Sequence, residues 1–127
     1  MTRNRKAERR QYPRIEQRLP IKVAANGYDF VTSTENVSCI GAYCFINKYV
    51  PPFTKVMIRL TLPVKSNVSS KNYSVECKGV VIRTDDESTD GFNIAIFFNE
   101  IKDGQRKKIS QYINQFLPEK SCVTKRI

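Results

Sequence analysis

Between Lys55 and Leu62 the large aliphatic residues fall on every second position: Val56, Ile58, Leu60 and Leu62, separated by Met57, Arg59 and Thr61. A period of two places those four on one face of an extended strand, whereas a helix would scatter them around its circumference. A strand with one buried face needs partners, and the same period supplies them. Leu19, Ile21 and Val23 alternate with polar residues; Asn26-Gly27 then gives a hairpin turn before Tyr28–Val31, and Ala42–Ile46 forms a further extended segment. Tyr73, Val75 and Cys77 share a face, but beyond Gly79 the apolar set moves to Val80 and Ile82, a slip that predicts a β-bulge at Gly79. Phe92, Ile94, Ile96 and Phe98 make a sixth strand. Six short strands in 127 residues predict a mostly β fold, a six-stranded antiparallel barrel, because closure leaves no sheet edge open to aggregation.

The end of the chain changes period. Ile109, Tyr112, Ile113, Phe116 and Leu117 recur at helical spacing, so a C-terminal amphipathic helix is expected over 103–117, with Asp103 as N-cap and Pro118 as stop. The resulting division is a flexible basic arm over 1–8, a domain over 9–117 with its barrel at 19–99, and a loose tail over 118–127. Basic residues continue through 1–18, where Arg3, Arg5, Lys6, Arg9, Arg10, Arg14 and Arg18 face only Glu8 and Glu16. That stretch shows no sustained apolar period, so order is expected only where it docks.

Charge and missing residue types narrow the chemistry. Twenty-two bases against twelve acids give +10 and favour an anionic partner. The absence of histidine removes Ser-His-Asp and Cys-His catalysis and the usual zinc sites. Asp86, Ser88, Asp90 and Gly91 imitate the start of a calcium loop, but Phe97 occupies the position that needs a bidentate glutamate, and 85–91 reads as a solvated hairpin tip. No metal is therefore expected. The four cysteines form no C-x-x-C pair and read as reduced thiols packed as small hydrophobes. With no signal-like leader and no apolar run of membrane-spanning length, a cytoplasmic protein is expected.

Two local patterns carry recognition chemistry. In Arg9-Arg10-Gln11-Tyr12-Pro13-Arg14, Pro13 holds the backbone extended, so Arg10 and Arg14 stand about 13 Å apart at ~3.3 Å per residue. A guanidinium fork bonds phosphate or the O6/N7 edge of guanine in a plane that lysine cannot offer. In Asn36-Val37-Ser38-Cys39-Ile40-Gly41, Asn36 and Ser38 alternate with Val37 and can share one side of an extended segment between two strands, while Gly41 permits close backbone approach. Either pattern alone reads equally as a solvated tail or a polar turn.

Together, in this order and on this architecture, they resemble the PilZ domain, a bacterial receptor module for cyclic di-GMP. The family pattern R-x-x-x-R followed by [DN]-x-S-x-x-G is matched by Arg10 to Arg14 and by Asn36, Ser38 and Gly41, and Lys78–Arg83 and Gly91–Phe98 are similar to the family's later strands. The resemblance implies a stand-alone, non-enzymatic receptor that signals to an unidentified protein partner. Arg10 and Arg14 would contact phosphate and guanine, Asn36 and Ser38 the remaining polar edges, Gly41 would keep the turn compact, and Arg9 would hold a second, stacked ligand molecule. Two other readings predict different behaviour: a PilZ-like adaptor without ligand, and a general nucleic-acid binder whose affinity falls steeply with salt. Nucleic acid is not the expected partner, because no strand face combines aromatic and basic residues.

Overall fold

The computed structural model describes residues 12–65, 70–87 and 90–117. Among these described residues the alternating segments become six antiparallel strands: β1 (Pro20–Ala25), β2 (Tyr28–Ser38), β3 (Gly41–Ile46), β4 (Lys55–Lys65), β5 (Ser70–Glu87) and β6 (Gly91–Glu100). One helix, α1 (Asp103–Asn114), comes after them. The order β1-β2-β3-β6-β5-β4 closes on itself as a barrel. It consists of two three-stranded meanders, β1-β2-β3 and β4-β5-β6, joined along two seams. At one seam Gly41–Ile46 runs against Phe92–Phe97; at the other Ile21–Ala24 runs against Met57–Leu60. The β1–β2 turn is the predicted one, with Asn26 and Gly27 both at positive φ, 51° and 84°.

Alternation delivers the core. Val56, Ile58, Leu60 and Leu62 are buried, as are Ile21, Val23, Ile94, Ile96 and Phe98, each large side chain contributing about 1.5–3 kcal/mol of burial. Helix α1 adds Ile109, Tyr112 and Ile113 to the same core, packing against β5, β4 and β2. Its N-cap is Lys102, in extended conformation and without a side-chain capping bond; Asp103 is instead the first helical residue. There its carboxylate faces the positive end of the helix dipole rather than bonding an amide. Phe116, expected on the buried stripe, lies beyond the last helical residue and is 44% exposed. The predicted stop, Pro118, lies outside the described residues.

Strand β5 departs from the expected phase. It keeps unbroken register with β4, but against β6 the register shifts twice, between Lys78 and Val80 and again between Val81 and Arg83. At the first, two steps of β5 face three of β6, so the extra residue lies in β6 and the bulge predicted in β5 at Gly79 does not form: Val75, Cys77, Gly79 and Val81 alternate inward without a slip. Val81 is therefore fully buried and Ile82 is 53% exposed, whereas Val80 and Ile82 were expected to point inward; the second shift adds a residue to β5 and ends the alternation there. Tyr73 is also exposed and does not join Val75 and Cys77 in the core.

Candidate ligand-binding site

The site begins where the basic leader meets β2. Ile15 and Leu19 are buried, and the segment between them is tied to that strand. The Ile15 N–H donates to the Val37 carbonyl at 2.9 Å and the Val37 N–H returns a bond to Ile15 at 3.0 Å. Further along, Thr34 N–H donates to the Leu19 carbonyl at 2.9 Å, and Leu19 N–H donates to Thr34 Oγ1 at 2.9 Å. The Thr34 hydroxyl in turn donates to the Gln17 carbonyl. The leader is therefore fixed from Ile15 onward, within the stretch to residue 18 read as ordered only on docking. Two apolar residues four apart in a charged run were enough to seat it, helped by a buried hydroxyl that supplies bonds a third strand would otherwise give. Arg14 immediately precedes this anchor.

Strand β2 bends at the same place. Thr34 pairs with Cys44, but Asn36 pairs with Tyr43, so Glu35 is an extra residue that re-aims the last turn of the pleat. Asn36 and Ser38 lie on extended backbone as expected, but within the end of β2 itself instead of between two strands. Ser38 is buried, and its Oγ accepts the Ile40 N–H at 3.2 Å, closing the tight passage into β3. Gly41 pairs with both Ser38 and Phe97. A Cβ there would sit 2.4 Å from the Ile96 carbonyl oxygen, so the backbones meet more closely than any side chain allows.

These residues converge. A cavity of about 530 Å³ is lined by Arg14, Asn36, Ser38 and Gly41 together with Tyr12, Ile40, Tyr43, Ile82, Arg83 and Phe97. Four of the six residues singled out in the sequence thus share one pocket; the other two, Arg9 and Arg10, lie outside the described residues. A second, larger cavity of about 810 Å³ opens between β5 and the start of α1. Its lining balances Lys78 and Lys102 with Glu76 and Glu100, whereas the first pocket is lined by Arg14 and Arg83 and by no acid, so the smaller pocket is the candidate for an anion.

The first pocket holds a group the sequence reading missed. Arg83 Nε and the Tyr43 hydroxyl both donate to Asp85 Oδ2, at 2.9 and 3.0 Å, and the Arg83 guanidinium carbon lies 5.5 Å from the centre of the Tyr43 ring. The Arg83 hydrogen bond, and then that of Tyr43, hold the Asp85 carboxyl below the usual carboxylate range. Burial is the main cause raising the Tyr43 phenol, the bond from Arg83 opposing it. Asp85 belongs to β5 and not to a solvated tip. No pattern in the sequence marked it, because the acidic run from Asp85 to Glu87 reads as a loop.

Cations, an amide, hydroxyls and apolar walls suit a planar anionic ligand with hydrogen-bonding edges. Among the described residues no cluster of His, Cys, Asp and Glu could hold a metal ion, and no helix is long and apolar enough to cross a membrane. Burial pushes the Cys44 thiol up to about 12 and Cys77 to about 11. Such thiols pack and do not react.

The sequence matches the family model for the PilZ domain over residues 8–115. Among solved structures, the Bacillus subtilis inhibitor of motility MotI/DgrA is similar in fold, with a TM-score of 0.72 and 19% identity over 84% of this chain and 50% of that one. This chain therefore spans half the length of that protein. No curated protein matches in sequence.

Proposed function

We propose that this chain, which belongs to the PilZ domain family, is a cytoplasmic cyclic di-GMP receptor that acts by binding and not by catalysis. One observation carries the reading: Arg14, Asn36, Ser38 and Gly41, 22 or more positions apart across the first gap, line a single cavity. Cyclic di-GMP brings two phosphates and two guanines, which call for cations, amide and hydroxyl edges, and flat apolar walls. Arg14 takes phosphate or the guanine edge from the pocket rim, Arg10 supplies the second fork from the preceding residues, and Arg9 serves a second, stacked ligand molecule. Asn36 and Ser38 bond the remaining polar edges.

The output comes from the leader's attachment. Ligand anions draw Arg10 onto the barrel beside Arg14 and alter the surface offered to a partner protein. Ordering costs about 1–2 kcal/mol per backbone residue, so charge-assisted bonds of roughly 1.5–3 kcal/mol each must offset it. Calorimetric titration with cyclic di-GMP, with GTP and a short oligonucleotide as competitors, tests the reading. Arg10→Ala and Arg14→Ala are each expected to weaken binding by roughly 10–100-fold, the equivalent of about 1.5–3 kcal/mol. Lys55→Ala, on the exposed start of β4, is expected to leave affinity unchanged. Equal losses at all three positions would favour a diffuse electrostatic binder, and full affinity in both arginine variants would remove the site.

A further inference from the structure

Arg83 sits where alternation alone would bury it. Val81 is fully buried, so the second residue after it should also face the core, yet the register shift between Val81 and Arg83 turns Ile82 and Arg83 to the outside together. Both line the same cavity as Arg14, Asn36 and Ser38. Having turned out, Arg83 is not left free to swing. Asp85, two residues along the strand, takes its Nε at 2.9 Å, and Tyr43 of β3 lies against its guanidinium while donating to the same carboxylate oxygen. The ion pair engages Nε, and the guanidinium also interacts with the Tyr43 hydroxyl. The side chain nevertheless keeps 60% of its surface exposed. A long cation held in one orientation at a pocket wall has already lost most of the rotamer freedom that binding would otherwise cost.

We propose that Arg83 is a further ligand-contacting residue of this pocket, and that Asp85 and Tyr43 are positioning residues that fix its guanidinium plane for a purine ring or its attached phosphate. The inference rests on the cyclic di-GMP reading and extends it to β5, on the meander opposite the leader. It assigns Asp85 a counterintuitive role: an acid placed at the edge of an anion pocket, kept there because orientation of the guanidinium outweighs the repulsion.

That sign provides the test. If Asp85 acted only through its charge, Asp85→Ala would add positive potential and tighten binding of an anion. If it positions Arg83, the same substitution weakens binding. In calorimetric titrations with cyclic di-GMP, Arg83→Ala is expected to lose about tenfold or more, and Arg83→Lys nearly as much, because lysine keeps the charge but not the plane. Asp85→Ala is expected to lose about three- to tenfold, and to have no further effect when Arg83 is already alanine. Arg83 and Asp85 lie at the surface, and melting curves of each variant confirm that the fold is kept. Tighter binding by Asp85→Ala, full affinity in Arg83→Lys, or an Asp85→Ala effect that persists without Arg83 would each overturn the proposal. Loss in Arg14→Ala with none in Arg83→Ala would overturn this inference alone; absence of binding in the unsubstituted protein would overturn the receptor reading with it.

Discussion

Thr34→Val tests whether a single hydroxyl holds the leader to the barrel. The two side chains have nearly the same shape, so packing around this fully buried position on β2 is preserved while two hydrogen bonds are removed. Leu19, itself buried, loses the acceptor for its N–H at 2.9 Å, and Gln17 loses the donor to its carbonyl. Stranding a buried amide costs about 1–3 kcal/mol. The half-buried Gln17 carbonyl can turn to water and costs less, while the added methyl recovers about 0.8 kcal/mol of apolar burial. The net expectation is a loss of about 2 kcal/mol, a fall in Tm of roughly 8 °C for a domain of this size. Thermal melts by circular dichroism read the total, and native-state hydrogen exchange locates it. The Leu19 and Ile15 amides should exchange faster while those of β4 and β5 keep their relative protection. Because Arg14 adjoins the anchor, cyclic di-GMP affinity should drop as well. A Tm within about 2 °C of the parent, with the Leu19 amide still protected, would refute the reasoning.

Gly41→Ala should cost about 3 kcal/mol or more in urea unfolding, since its Cβ would meet the Ile96 carbonyl at 2.4 Å and the seam must part to admit it; a loss below about 1 kcal/mol would mean the strands yield freely. In the native protein at pH 8, Cys44 and Cys77 should resist alkylation until the chain unfolds, because their thiols are raised to about 12 and about 11. Peptide mapping by mass spectrometry checks this, and rapid modification would contradict it. An NMR titration should find the Asp85 carboxyl below the ordinary aspartate range, returning toward it in Arg83→Ala. A depressed folded value means that the Asp85–Arg83 contact contributes fully above about pH 4 and is lost as the pH falls through the folded value.

Alternation made the strands legible because each had one face in the core, and spacing made Arg14, Asn36, Ser38 and Gly41 legible because the four fall in recognisable patterns. The features that escaped depend on contacts between distant segments. Nothing in Val81-Ile82-Arg83-Thr84 marks the second bulge; β6 imposes it, and with it the outward turn of Arg83. Asp85 read as solvent-exposed because its neighbours are acidic, while its partners sit 2 and 42 residues away. Thr34 belongs to no pattern in the sequence, and only the docked leader shows its hydroxyl bridging Leu19 and Gln17. Ile15 was hidden by the arginines around it.

The two-meander construction has a consequence for how the molecule can come apart. Each meander is stitched by neighbours in sequence, but strand pairing joins the halves only where β3 lies on β6 and β1 on β4. The pocket spans the first of these joints, taking Arg14, Asn36 and Tyr43 from one half and Ile82, Arg83 and Phe97 from the other. An occupant therefore works as a rivet through two plates: prising the halves apart means expelling it first, so occupancy should slow unfolding by resisting the separation of pieces that share no loop at that joint.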